Sequence, residues 1–464
     1  MKTLLSIVLM SAITLILAGC IEDGIDTSPS SQPEFSVDTL FLGTVFTDQP
    51  TPTSRFMVYN RHDRIISISD ISLRGGGSDF RLNVDGFAGE SFHNVEIRPK
   101  DSIFVFVEAT LSPNGAPGLS KINRIIDFTT NGVTRSVVVH ADGQDVSRIK
   151  GEVIESDTRF EATYPYQIFD SLVVGPGATL TLAPGTTLHF HDKAFCRVEG
   201  TLVSEGTPEK PVNLCGDRTG NVVGQIPFDL MASQWRGLEF APESRGNSLS
   251  HTIVRNTVSG VLADSLSQVT MLNCRLRNSA GYTLRARYAD LRIVGCELAE
   301  AAEGVFSITG GTTVVNHSTI ANYYLFSVLR GASVQFDHYN SESDNGSGMP
   351  YLTADFTNSI IYGNGTDLSV GDFSGCQVTL RRCLFKSEGS DDDNFLSCIW
   401  DTDPLYYTVR NDYYFDYRLK PDSPALGAAD PALTFPEAVK DFYGVSRLPG
   451  APNLGAYQAA GEEQ

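Results

Sequence analysis

Apolar positions along the chain follow two patterns, and the change comes near residue 150. From Phe35 to about Val146, short runs rich in Val, Ile and Phe alternate with clusters of Gly, Asp, Asn and Pro. The runs 55–60, 65–73, 80–84, 102–111, 124–130 and 136–143 place apolar residues two apart in several places. That is the period of a half-buried strand. "GGGSD" and "SPNGAPG" supply turns between them. Seven or so short strands at this spacing predict a β-sandwich over 35–148. No cysteine occurs there, so hydrophobic burial must hold it together.

Beyond Lys150 the strands are shorter. Apolar pairs such as Leu180/Leu182, Leu188/Phe190 and Val212/Leu214 are punctuated by Gly177, Pro184-Gly185, Gly200 and Gly206. Such strands cannot bury a face alone, but stacked as rungs they enclose one continuous interior. A second series sets the period. A short residue followed two later by an apolar one recurs as Thr252/Val254, Cys274/Leu276, Cys296/Leu298, Ser318/Ile320, Ser359/Ile361 and Cys383/Phe385, at steps of 22, 22, 22, 41 and 24. A step near 22 predicts one turn of a three-sided coil, and the step of 41 predicts a loop near 335–351. Asn256, Asn278 and Asn322 follow four positions after the short residue, and Glu300 interrupts them. Asn stacked at a bend bonds along the column and to turn backbone. Filling 149–400 at this period gives on the order of eleven turns, about 50 Å at a rung spacing of about 4.8 Å. The column accepts Thr and Ser as readily as Cys, so Cys274 and Cys296 read as small inward side chains; a disulfide between turns stays open.

Several stretches resemble known families. Residues 172–216 and "WRGLEF" (235–240) resemble the first coils of right-handed parallel β-helix, pectin-lyase-like proteins, which implies that fold for 149–400. "FMVYN" and "ISDISL" resemble immunoglobulin-like modules of bacterial surface lipoproteins. Residues 403–430, "DFYGVSR" (441–447) and "NLGAYQ" (453–458) resemble the choice-of-anchor-type end of bacterial β-helix proteins, implying a C-terminal cap over 401–464. Gly427, Asn453 and Gln458 stand where that pattern has carboxylates. The expected fold class is therefore all-β: an N-terminal immunoglobulin-like β-sandwich followed by a right-handed parallel β-helix with a C-terminal cap.

The first residues, "MKTLLSIVLMSAITLILAGC", have one Lys, an apolar run and small residues before Cys20. The run has the length of a signal-peptide core and no stop-transfer flank. Its end resembles a bacterial lipobox, which implies a signal peptide over 1–19 and a lipid on Cys20 as the link to the membrane. Residues 20–34 read as a polar tether. Glu22 and Asp23 resemble the acidic export signal of Bacteroidetes surface lipoproteins, implying an outer-membrane, cell-surface location. Asp-Thr/Ser-Leu/Ile triplets at 38–40, 101–103, 170–172 and 264–266 resemble the O-glycosylation motif of that envelope, with acceptors Thr39, Ser102, Ser171 and Ser265.

The net charge of −20, from 35 basic and 55 acidic residues, opposes a nucleic-acid partner. Catalysis on a polysaccharide would need paired carboxylates in a groove, or a base beside calcium-binding acids. Neither Gly-His-Gly nor Arg-Ile-Lys, which accompany pectinase aspartates, is expected here. Arg255, Arg275, Arg277, Arg285, Arg287 and Arg292 read as outward residues on a solvated face without an acid cluster. Asp391–Asp393 offer calcium ligands, but contiguous acids are more simply an exposed loop. His189 and His191 share a strand face and with Asp192 form part of a metal set; Leu188 and Phe190 take the interior, leaving both histidines in solvent without a third ligand. After Cys20, seven cysteines remain, and no pair is spaced CxxC. Trp400, Tyr406, Tyr407, Tyr413, Tyr414 and Tyr417 suit either stacking on sugar rings or covering the last rung. The sequence thus points to no cofactor and no metal. It favours a non-catalytic envelope protein offering a rigid surface to a polysaccharide or protein partner, with a polysaccharide lyase or glycoside hydrolase as the alternative.

Overall fold

The computed structural model describes residues 24–223, 226–337, 352–371, 373, 376–411 and 413–458. Met1–Gly19, with Cys20, lies outside them. The described chain is all-β with large parallel sheets; it has no α-helix, only 3-10 turns such as Phe228–Leu230 and Pro431–Leu433. It divides into two compact units, Met1–Asp145 and Val146–Gln464.

The first unit has two five-stranded sheets. One orders Glu34–Phe35, Ser54–Tyr59, Ser102–Ala109, Phe80–Val84 and Phe87–Gly89; the other orders Thr39–Phe46, Val133–Gln144, Leu119–Thr130, Ile66–Leu73 and Ser91–Ile97. All pairings are antiparallel except that of Thr39–Phe46 with Val133–Gln144. Alternation puts Phe56, Val58, Ile68, Val105, Val107, Phe128 and Val139 into one shared core. Thr39–Phe46 and Ser91–Ile97 were not among the strands expected, because Gly43 and the polar Ser91, His93 and Asn94 break the apolar alternation. The expected tether over 20–34 is also corrected in its described part. Asp26 N–H donates to Ile65 O at 2.7 Å, Asn131 Nδ2 donates to Ser28 O at 2.8 Å, and Gln32 Nε2 to Thr130 O at 2.9 Å. These backbone groups are fixed to the sheet instead of solvated.

The second unit is a coil with three ladders of parallel strands, compatible with a β-helix. Following the chain, each turn visits the third, first and second ladders in order, as in Gln268–Leu272, Arg275–Ser279 and Tyr282–Arg287, then Asp290–Val294, Glu297–Ala299 and Gly304–Thr309. The third ladder alone holds ten strands, from Thr158–Phe160 to Phe395–Leu396. Leu188, Phe190, Leu276, Ile293, Leu298, Phe306, Phe336, Phe356 and Phe385 fill the interior. Aromatic contacts continue along it: Trp235 stacks on Phe190 at 4.0 Å and Trp400 on Phe385 at 4.7 Å. Gly200 is required because a Cβ there would lie 2.3 Å from two carbonyl oxygens of the rung below.

The register runs Val254, Leu276, Leu298, Ile320, Ile361, Phe385, the same column the sequence spacing selects. The short residues two positions earlier do more than fit. Cys274 N–H donates to Cys296 Sγ (3.3 Å), Cys296 N–H to Ser318 Oγ (3.2 Å), and Ser318 N–H to Ser359 Oγ (3.1 Å). Each side chain in turn donates to the carbonyl two residues back, as Ser359 Oγ does to Thr357 O (2.8 Å). The column therefore requires a short group that both accepts and donates, which Cys, Ser and Thr provide. Both cysteines are free thiols. The residue before each, His251, Asn273, Gly295, His317, Asn358 and Arg382, has positive φ and turns the corner. Ser397 repeats that conformation, so Cys398 is a further member that the sequence reading left out. The long step of 41 residues divides in two. Val334 pairs with Phe306, 28 residues earlier, so six of the nineteen extra residues enter by 323–333, and Val334–Asp337, at the start of the expected loop, is instead a strand. Leu352 pairs with Gly311, so the other thirteen fall between Asp337 and Leu352, within the range expected for the loop; 338–351 lies outside the described residues.

The column makes a specific demand at Cys296. Cys296→Ser should keep stability within about 1 kcal/mol, because it preserves both roles. Cys296→Ala leaves the Cys274 amide without its acceptor and should cost about 1–3 kcal/mol in urea unfolding.

Candidate functional site

A cluster of charged side chains lies on the outer side of the first ladder. One outward column runs Asn213, Ile253, Arg275, Glu297, Thr319, Ile360; the next runs Arg255, Arg277, Ala299, Ala321, Tyr362. The solvated face expected for these arginines is corrected here. Residues 404–458 do not simply cap the last rung, but fold back along this ladder. Tyr406, Phe415, Tyr417, Leu419, Leu454 and Tyr457 pack on Ala299, Ala321, Ile360 and Leu384. The two alanines leave room for the segment.

Arg277 forms a two-pronged ion pair with Glu297, with Nη2 to Oε2 at 2.8 Å. Tyr457 Oη donates to Glu297 Oε2 at 2.5 Å and accepts from Arg275 Nε at 2.9 Å. The Arg275 guanidinium lies over the rings of Phe442, Tyr443 and Tyr457 at 3.8, 4.9 and 5.3 Å. Arg255 pairs with Asp229, from the connection 217–236. Burial alone would raise the Glu297 carboxyl, but Arg277 and Arg275 outweigh it and hold it below the usual range. Arg277 is likewise kept charged by Glu297 against burial.

Glu300 behaves oppositely. It takes the position where its column otherwise has Asn, with the same left-handed backbone, and accepts the Tyr417 hydroxyl. Burial pushes its carboxyl up to about 7; Tyr417 and Arg277 act against that rise, and Glu297 adds to it. The neighbouring Asn256 and Asn278 instead hold the connection 217–236, donating to Asp229 O at 2.7 and 3.1 Å.

The left-handed corner fastens the same C-terminal segment. Asn358 exchanges two bonds with the Asp430 backbone (2.9 and 3.0 Å), Asn316 donates to Leu433 O (2.9 Å), His317 Nε2 meets Thr434 Oγ1 (2.9 Å), and Asn273 donates to Lys440 O (3.2 Å). Burial drops the His317 imidazole to about 3, which keeps it neutral. Within the segment, Asp441 accepts from the amides of Tyr443, Val445 and Gln458, and Arg447 donates to Ala438 O and Ala456 O. Gly455 has φ of 83°, and a Cβ there would lie 2.6 Å from Thr319 Oγ1. Where carboxylates were absent from the motif, amides take over: Asn453 Oδ1 accepts from Gly427 N–H (3.0 Å), and Gln458 Oε1 from Asn453 N–H (2.9 Å).

The remaining candidates do not converge. Arg285, Arg287 and Arg292 stand half-exposed beside Glu303, Asp264 and Glu437. The expected absence of Arg-Ile-Lys is corrected: it occurs as Arg148-Ile149-Lys150 on the first strand of the coil, Ser147–Ile154. His191 pairs with Asp217 at 2.7 Å, while His189 is turned towards the next rung, with Nδ1 at 3.2 Å from Gly216 O and 3.4 Å from Cys215 Sγ; it is not the free solvent-facing group expected. Asp391 and Asp392 accept backbone N–H groups of Cys398 and Phe395 (3.1 and 2.9 Å), organising a turn. No group of three metal-ligating side chains occurs among the described residues. Trp400 covers Phe385 at the last rung, as one reading of the aromatics had it, but Tyr406 and Tyr417 lie on the ladder's side. Thr39, Ser102, Ser171 and Ser265 are half-buried and scattered over both units, the first three on strands and Ser265 in a turn. The roles of Glu297 and Tyr457 were missed; the one signal was Glu297 standing one 22-residue step after Arg275. Among the described residues no helix is long and apolar enough to cross a membrane.

No family model and no curated protein matches the sequence. Among solved structures, a family 123 glycoside hydrolase from Clostridium perfringens matches at 11% identity and a TM-score of 0.17, over 24% of this chain and 23% of its own. A protein of unknown function from Porphyromonas gingivalis W83 matches at 11% identity and a TM-score of 0.19, over 27% of this chain and 60% of its own.

Two outcomes follow from the roofed face. Glu297→Ala leaves the partly buried Arg277 without its partner beneath the C-terminal segment and should cost about 2–4 kcal/mol in equilibrium unfolding. Glu300 has a folded pKa raised to about 7, so its contribution is fully present below its unfolded value. That contribution is lost as pH rises, completely above about 7. Wild-type stability should therefore fall relative to Glu300→Gln by on the order of 3 kcal/mol between pH 4 and pH 8. Parallel pH-dependence for the two proteins would refute the assignment.

Proposed function

We propose that the chain is a non-catalytic lipoprotein of the bacterial outer-membrane surface, presenting a rigid β surface to glycan or protein partners. In this reading the second unit is a right-handed parallel β-helix of the pectin-lyase-like type, closed by a choice-of-anchor-like segment, and the first is an immunoglobulin-like sandwich. A lipid on Cys20 joins it to the membrane, and Thr39, Ser102, Ser171 and Ser265 are glycan acceptors of the mature protein.

One observation carries the non-catalytic part. The arginines and carboxylates clustered on the first ladder, Arg275, Arg277, Glu297 and Glu300, are spent on one another and on Tyr417 and Tyr457. A lyase or hydrolase needs such groups open to a sugar. Here the protein's own segment occupies that position, and a fold shared with enzymes does not by itself carry their chemistry.

The test is direct. The protein, incubated with polygalacturonate, alginate, xylan and mannan, should release neither reducing ends nor unsaturated uronates. Turnover lost on changing a single Asp, Glu or Arg would overturn the proposal in favour of the lyase or hydrolase reading. Metabolic labelling with a palmitate analogue should mark the protein and be lost in Cys20→Ala. Surface proteolysis of intact cells should degrade it.

A further inference from the structure

The coil's faces differ in what they leave open. The first ladder is covered by 404–458, whereas the connection 323–333 brings aromatic and aliphatic side chains to the surface. Phe326 is 36% exposed, Val328 82% and Tyr413 38%, and Tyr413 comes from the turn between Tyr406–Asn411 and Tyr414–Leu419. Phe326 and Tyr413 are nearly parallel, 16° apart with centroids at 6.5 Å. Tyr324 packs edge-on to Phe326 at 5.8 Å, and burial raises its phenol. Tyr323, on the same connection, contacts Tyr406 and Tyr417 at 6.2 and 6.1 Å. Phe326 is thus held between Tyr324 and Tyr413, which fixes its orientation before any ligand arrives. That lowers the ordering cost of binding.

We propose that Phe326 and Tyr413 form a stacking platform for a neutral pyranose ring of an oligosaccharide. This rests on the glycan-presenting part of the reading above and gives it a site. Size selects the occupant. Two rings of about 200 Å² each, a little over a third exposed, offer roughly 150 Å². A stable protein interface needs about 800 Å² per partner. The patch matches one or two sugar rings instead. Charge selects among sugars. The chain carries a net charge of −20, which repels uronate chains and leaves neutral ones unopposed. Parallel aromatic faces meet the C–H faces of a pyranose, while the Tyr413 hydroxyl supplies a polar handle at the rim.

The experiment titrates the protein with cellohexaose, xylohexaose and mannohexaose, with hexagalacturonate as the charged probe, by calorimetry. At least one neutral hexasaccharide should bind. Phe326→Ala and Tyr413→Ala should each weaken it ten-fold or more at unchanged Tm, while Phe326→Tyr retains it. Equal binding by wild type and both alanine variants would sink the platform while leaving glycan binding elsewhere on the surface intact. Absence of binding by all three neutral probes, or preference for hexagalacturonate, would overturn the platform as well. Only the first of these, absence, together with no retention on immobilised envelope polysaccharide, would also remove the glycan part of the functional reading.

Discussion

A strand of four or five residues cannot satisfy its own backbone, so every rung of the second unit depends on the rung before and after it. Parallel ladders meet that need along each side. Corners are where they fail, because the chain turns and its amides leave the ladder. Here one corner is served by a column of Ser and Cys side chains that accept the amide of the preceding rung and donate to a carbonyl of their own. A buried amide without an acceptor costs as much as a lost methylene or two, so this column constrains the sequence as strongly as the apolar interior does. The 22-residue step follows from it, since the accepting side chain must return to the same corner once per turn.

The covered ladder shows what such a column leaves for tertiary structure. Left-handed residues at the corner point their polar ends outward, and the C-terminal segment uses them as attachment points at Asn273, His317 and Asn358. Between these, the buried Arg277–Glu297 pair and its tyrosine partners contribute little net stability, because desolvation offsets their attraction. Their effect is on register. Only one placement of the segment satisfies Arg275, Arg277, Glu297 and Glu300 together, and a slip of one rung would strand charges in the interior. Gly455 reinforces this, since any side chain there would meet Thr319 and Ile360.

The repeat was legible because it is local and periodic. Val254, Leu276, Leu298 and Ile320 could be aligned by counting, and the register agrees with the count. The strands of the first unit that break alternation, Thr39–Phe46 and Ser91–Ile97, were not legible, because edge positions are exposed on one side and need no strict pattern. The arginine face was misread for a different physical reason. Outward residues of a repeat look solvated unless the distant segment that covers them is known, and Tyr457 lies 160 residues from Glu297 along the chain. Sequence spacing has no term for such a contact. The role of Glu300 was half visible: it broke the Asn column, but nothing nearby in sequence pointed to Tyr417 as its partner.

Breaks in a periodic structure are therefore the places to look for specificity. Where the Asn column continues, at Asn256 and Asn278, its amides hold the connection 217–236. Where it changes to Glu300, the C-terminal segment docks instead. Where the step lengthens beyond 22, part of the added chain lies at 323–333 and carries Phe326 and Val328 to the surface. The regular rungs supply stiffness and are interchangeable in chemistry. Recognition on such a scaffold must come from the irregular segments, because only they place side chains that are not already committed to the neighbouring rung or to the covering segment.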